Sequence, residues 1–259
     1  PAVSTLSGCE ARVMTTPSPT CYQLDVAADA DQLARRCAER VASLIDLALD
    51  ERDRAQIALS GGTTPAAAYR LLNAEHLPWN RVDVVLGDER WVPSTDPASN
   101  ARLLSDTLLA AGGPGADARF HPVPTELDSP EASVAAFDRY VRQLCPGDLP
   151  IFDVMLLGLG EDGHTASLFP GTAATGIVDR AVTLGAGKGL ERITLTAPVL
   201  SAARHVMILV SGAGKRLALQ RLLDPAEPAQ RTPAKLVQPR TPVLVLADAA
   251  AAEGLATPG

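Results

Sequence analysis

Asp153-Val-Met-Leu-Leu-Gly-Leu-Gly-Glu-Asp-Gly-His-Thr-Ala-Ser-Leu-Phe-Pro-Gly171 holds the densest chemistry in this chain of 259 residues. The apolar run Val154 to Leu157 reads as a buried strand; glycines follow at 158, 160 and 163, and Asp162 and His164 arrive among them. By spacing, Gly158-x-Gly160-x-x-Gly163 matches the dinucleotide fingerprint, a glycine-rich turn after a strand. By chemistry, it is a loop presenting an acid and an imidazole at a strand end. In a dinucleotide site the third glycine opens a long helix that packs back onto the sheet. Here Pro170-Gly171 stops any helix starting at Thr165 after about two turns. Asp179, after Ile177-Val178, stands at the distance expected of a ribose-binding acid, so spacing alone does not decide. The broken helix does, against the dinucleotide.

On either side of this stretch, strand and helix patterns alternate. Helix 28–50 carries Leu33, Cys37, Val41, Leu44, Ile45 and Ala48 on one stripe of period 3.6. Strand Ile57–Leu59 ends at Ser60-Gly61-Gly62, and helix 65–74 opens on Pro65, a residue favoured in a first turn. Strand Val82–Leu86 ends at Gly87-Asp88-Glu89-Arg90, with helices expected over 99–111 and 130–144. Further on come a short strand Ile193–Thr196, strand His205–Val210 with helix 214–223, and strand Val243–Leu246 with helix 248–255. Continuous apolar strands alternating with helices predict an α/β fold, a mostly parallel sheet flanked by helices on both faces. Residues 1–20, polar and without periodicity, are expected as a flexible N-terminal extension, and 21–259 as a single α/β domain.

The balance of the composition narrows the function. A net charge of −7 argues against a nucleic-acid partner, which calls for a basic face. No apolar run is long enough to span a membrane, and no signal-peptide pattern opens the chain, so a cytoplasmic location is expected. Cys9, Cys21, Cys37 and Cys145 lack C-x-x-C spacing, and His76, His121, His164 and His205 lack H-x-x-x-H spacing. Neither disulfide staples nor a zinc site are therefore expected. The sequence does not choose between a monomer and a weak dimer.

Open parallel sheets bind ligands outside the carboxyl ends of their strands. Four polar clusters sit just there: Ser60-Gly61-Gly62, Asp88-Glu89-Arg90, Gly158 to His164, and Ser211 to Lys215. They are expected to converge on one rim. The first suits an anion, since glycines allow close backbone approach and helix N-termini carry unpaired N–H groups; a tight turn with a threonine N-cap is the plainer alternative. Ser211-Gly212-Ala213-Gly214-Lys215 puts a cation at a helix start, against the macrodipole, as a bound anion would favour and as a merely solvated lysine would not. It is not a Walker A loop, because Leu209 and Arg216 occupy positions that motif reserves for Gly and Ser or Thr. Arg90 offers the paired donors that suit phosphate, or else pairs with a surface carboxylate.

His164 is the natural general base, with Asp162 to orient it. A loop histidine bonded only to backbone would leave the glycines and the aspartate beside it unexplained. There is no G-x-S-x-G elbow for a serine nucleophile, and Ser167 is expected on a short helical turn, so water is the expected nucleophile.

Taken together, Ser60-Gly-Gly-Thr-Thr-Pro65, Gly87-Asp-Glu-Arg-Trp-Val-Pro93 with Ser99-Asn100, Gly158 to Gly171, Arg192-Ile-Thr-Leu-Thr196 and Gly214-Lys215 resemble the 6-phosphogluconolactonase family. The resemblance covers roughly residues 25 to 250 and implies a Rossmann-like, glucosamine-6-phosphate deaminase-like fold. It implies hydrolysis of 6-phosphoglucono-δ-lactone, the second step of the oxidative pentose phosphate pathway, without metal or cofactor. By the same resemblance His164 is the base and Asp162 its partner, with Gly61, Gly62, Thr63, Asp88, Arg90, Arg192 and Lys215 on the substrate and its phosphate. The related deaminases share the Asp-Gly-His loop but usually carry tyrosine where Arg90 stands and run on through Phe-Asn-Glu where Ser167-Leu168-Phe169 stand. Lys188-Gly189-Leu190 departs from the prolines frequent in the lactonases. A phosphosugar deaminase or isomerase, and a non-catalytic phosphosugar-binding regulator, are the alternatives.

Overall fold

The computed structural model describes residues 20–255; the extension expected over 1–20 lies, but for Thr20, outside the described residues. Five apolar runs form the middle of the fold. They are β2 (Ala55–Leu59), β3 (Val82–Leu86), β6 (Val154–Gly158), β9 (His205–Val210) and β10 (Val243–Asp248). All five residues of β3 and the first four of β6 are buried. Successive strand residues point to opposite faces, so such burial means that both faces of the sheet are covered.

Two edge strands complete it, β1 (Tyr22–Ala27) and β5 (Arg119–Phe120), giving seven strands in the order β1-β10-β9-β6-β2-β3-β5. Every pairing in this sheet is parallel. Helix α1 (Ala30–Glu51) buries its whole expected stripe, from Leu33 to Ala48, and is capped by the Asp29 carboxylate on the Gln32 N–H. Helix α2 (Thr63–Asn73) joins β2 to β3, and α4 (Pro130–Leu144) runs as expected.

After β2 the chain moves toward β3, and after β6 it moves toward β9, although β2 and β6 are neighbours. The connections thus diverge between these two strands. A crevice at the carboxyl ends results, the place where such sheets hold ligands.

A second, antiparallel sheet stands over that crevice, in the order β4 (Asp88–Arg90), β8 (Leu190–Leu195), β7 (Val182–Gly187). The Asp-Glu-Arg triplet, expected as a loop, is therefore a strand, with Asp88 opposite Thr194 and Arg90 opposite Arg192. Helix α3 (Asn100–Ser105) ends six residues before the expected boundary at 111; Asp106 to Ala110 form turns that return to the Arg102, Leu104 and Thr107 carbonyls, and Gly112 follows at φ +95°. Short α5 (Ala197–Ala202) precedes β9; α6 (Arg216–Leu223) follows a single 3-10 turn, Ala213–Lys215; and α7 (Ala249–Ala252) is shorter than its expected range of 248–255. Residues 165–168 are not a helical turn. Thr165 and Leu168 close a tight turn with Ala166 at φ +47°, so Ser167 faces inward and is fully buried.

Candidate active site

At the end of β6 the glycines set the position of one imidazole. The Gly160 N–H donates to the His164 carbonyl at 2.8 Å and the Gly163 N–H to the Gly160 carbonyl at 3.0 Å, folding the loop on itself. Gly163 has φ +84°, which a residue with a side chain rarely adopts. Its carbonyl accepts from Ala234 N–H at 3.0 Å, tying the loop to the segment before β10.

His164 Nδ1 lies 2.5 Å from Asp162 Oδ1, which also accepts the His164 backbone N–H at 3.1 Å. That bond fixes the tautomer with the proton on Nδ1 and leaves Nε2 as the basic nitrogen. Phe169 packs against the ring, centroid to centroid 4.2 Å. Burial lowers the His164 pKa below its ordinary value, against the opposing pull of Asp162. For Asp162, burial raises the carboxyl, but the hydrogen bonds from His164 outweigh it and the net shift is downward. A neutral imidazole beside an ionised carboxylate is the resting state at neutral pH.

The end of β2 supplies an anion site. Gly62 is the N-cap of α2 at φ +113°, with no capping side chain, so the plainer alternative of a threonine cap does not hold. The first N–H groups of α2 are left to a ligand or solvent. Lys215 comes from the 3-10 turn after β9, whose N-cap Gly212 likewise lacks a side-chain cap. Burial lowers the Lys215 pKa, partly offset by Glu161.

The antiparallel sheet brings the remaining groups. Arg90 Nη1 donates to the Ala98 carbonyl, and among the described residues Arg90 pairs with no carboxylate. Asp88 accepts from Ser167 Oγ at 2.5 Å and lies 3.6 Å from Arg192 Nη1. Arg192, itself buried, also bonds the Gly187 carbonyl at 3.3 Å and lies over the Phe169 ring. Burial pulls its guanidinium below the ordinary value.

One cavity of about 320 Å³ takes in His164, Gly61, Gly62, Thr63, Asp88, Arg90, Arg192 and Lys215 together. Asp162 stands behind His164, its carboxylate half exposed. All four polar clusters thus open on the same crevice, and the structure brings together every residue singled out from the sequence.

It also adds residues that the sequence did not single out as site residues. Asn100 Nδ2 donates to the Asp88 carbonyl at 2.8 Å, and a Cβ on Gly61 would come within 1.8 Å of Asn100 Oδ1. Gly61 is therefore fixed by contact, not by conformation. Asn100 Oδ1, Ser60 Oγ and Arg90 Nε are buried without a hydrogen-bond partner among the described residues, and all three residues line the cavity. An unpaired buried polar atom costs about 1–3 kcal/mol, so three in one cavity indicate a site built for a polar ligand.

Glu89 holds this wall in place. It accepts from Arg90 N–H at 2.7 Å, Asn100 N–H at 2.8 Å, Ala101 N–H at 2.7 Å and Ser99 Oγ at 3.0 Å. Burial raises its carboxyl in spite of these four donors. In the sequence its only signal was its place between Asp88 and Arg90 in one of the four polar clusters. Among the described residues no three His, Cys, Asp or Glu side chains cluster as a metal would need, and no helix is long and apolar enough to cross a membrane.

The family described as glucosamine-6-phosphate isomerases/6-phosphogluconolactonase matches residues 28–246. The 6-phosphogluconolactonase of Synechocystis sp. is 39% identical over 236 residues, covering 90% of this chain and 98% of that protein. The solved 6-phosphogluconolactonase of Trypanosoma brucei superposes with a TM-score of 0.81 at 28% identity, over 93% of this chain and 100% of that one. A monomeric glucosamine-6-phosphate deaminase shares the fold, with a TM-score of 0.75 at 23% identity over 89% and 98% of the two chains. On these matches, the chain belongs to the 6-phosphogluconolactonase family.

Proposed function

We propose that this chain hydrolyses 6-phospho-D-glucono-1,5-lactone to 6-phospho-D-gluconate, with His164 as the base that activates water. The observation that supports this most is the sharing of one cavity: a base oriented by its own carboxylate opens on the same space as an uncapped helix N-terminus, Arg90 and Lys215. The first pair fits the reaction and the second set fits the phosphate.

In this reading the phosphate lies against the N–H groups at Gly62 and Thr63, with Arg90 and Lys215 completing its charge. That places the lactone carbonyl beside His164. Nε2 takes a proton from water as the water oxygen bonds to the carbonyl carbon, and the carbonyl electron pair moves onto oxygen. When the pair returns, the bond to the ring oxygen breaks, and the imidazolium gives its proton to that oxygen. Asp162 holds the ring and stabilises the imidazolium between the two steps. General acid–base work of this kind contributes about 10²–10⁴-fold, and the anchored phosphate adds positioning.

The test is an assay of purified protein on the fresh lactone, with spontaneous opening subtracted. Acceleration that disappears in His164→Ala supports the reading. No acceleration over the blank, or ammonia release from glucosamine-6-phosphate, contradicts it.

A further inference from the structure

The turn between β7 and β8 consists of Lys188 and Gly189, at φ +55° and φ +76°, between the paired residues Gly187 and Leu190. Two-residue turns with both residues at positive φ favour glycine or asparagine, because a Cβ there crowds the backbone. Gly189 meets that preference and Lys188 does not. A lysine in a left-handed conformation there is a backbone outlier, which directs attention to its side chain.

Lys188 lines the cavity that His164 and Lys215 also line. The hairpin is fixed at this height by packing. A Cβ on Gly187 would lie 2.4 Å from the Phe169 ring, and Phe169 is the ring packed against His164. A Cβ on Gly185 would lie 2.7 Å from the Ser167 carbonyl oxygen, and Arg192 bonds the Gly187 carbonyl. The turn therefore rests on the aromatic pair that carries the base.

We propose that Lys188 is a catalytic residue whose ammonium stabilises the oxyanion formed on the lactone carbonyl and then holds the product carboxylate. This rests on the lactonase reading above. The phosphate already has Arg90, Lys215 and the α2 N–H groups, whereas none of these is tied to the imidazole. Lys188 is joined to it through Gly187 and Phe169, as is Arg192, which already lies beside the Asp88 carboxylate. Its charge also acts on His164, lowering the affinity of the ring for a proton, together with Asp162 and Asp88, which raise it.

No new reactant is required. As His164 takes the proton from water and the C–O bond forms, the carbonyl pair settles on oxygen beside the ammonium. It returns as the ring C–O bond breaks and the imidazolium protonates the leaving oxygen. The ground-state carbonyl is neutral, so Lys188 acts on turnover more than on substrate binding.

The experiment compares Lys188→Gly, Lys188→Arg and Lys215→Ala with the wild type on the phosphorylated lactone. Glycine suits the turn, so Lys188→Gly folds. Its kcat is expected to fall by about 10²-fold, the usual cost of one oxyanion donor, with KM little changed and inhibition by 6-phosphogluconate weakened. The acid limb of its kcat/KM profile moves to higher pH, because a charge that lowers the His164 pKa is gone. Lys188→Arg recovers much of the rate. If Lys188→Gly raises KM and spares kcat, as Lys215→Ala should, Lys188 is a phosphate anchor and the proposal is overturned; unchanged kinetics overturn it equally. Wild-type protein without lactonase activity would instead overturn the lactonase reading itself, and this proposal with it.

Discussion

A Cβ added to Gly160 would lie 2.0 Å from Nδ1 of His164 and 2.6 Å from Oδ1 of Asp162. The base and its carboxylate therefore fill the space a side chain would take. Gly160→Ala must push the ring out of its bond to Asp162. We expect turnover to fall at least tenfold, in line with the value of a positioned general base. Steady-state kinetics alongside circular dichroism check this; full activity with the fold intact would show that the ring position is not critical.

Asp162 acts on the titration of His164 with a definite sign. Its carboxylate raises the His164 pKa against burial, which lowers it. A base must be neutral, so kcat/KM in the wild type should fall as pH drops through a pKa below the ordinary histidine value. In Asp162→Asn the raising partner is gone, and the acid limb should move to still lower pH while the maximum rate drops. An acid limb that moves upward would mean that the titrating group is not His164.

Arg90 and Lys215 approach the cavity from β4 and from the turn after β9. Arg90→Ala or Lys215→Ala should raise KM for the phosphorylated lactone by about tenfold or more, the scale of one charge-assisted hydrogen bond. Hydrolysis of the unphosphorylated lactone should hardly change. Equal effects on both substrates would remove these residues from the phosphate.

The strands that carry the site were legible because each is an apolar run closed by glycine or charge, as in Val154–Leu157 and Val82–Leu86. The edge strand β1 was not, since Val26 is exposed and Asp25 half-buried, so no clean alternation marks it. Of the small antiparallel sheet only the middle strand was legible, as the run Ile193–Thr196; its partners were hidden for a different reason. Asp88-Glu89-Arg90 has no apolar residue, and Gly185 and Gly187 lie within β7; those residues pair because Ser167 and Phe169 need a close backbone against them. Asn100 and Lys188 join the cavity only through tertiary contacts. The turn at 165–168 shows the same limit. Pro170 gave the end of any helix, but the left-handed Ala166 that turns Ser167 toward Asp88 has no signature in sequence.

The most direct measurement is the rate of His164→Ala on fresh 6-phosphoglucono-δ-lactone, corrected for spontaneous opening, in protein whose thermal unfolding matches the wild type. A loss of about 10²–10⁴-fold in kcat is expected, with KM little altered because the phosphate anchors are intact. Turnover near that of the wild type would contradict it.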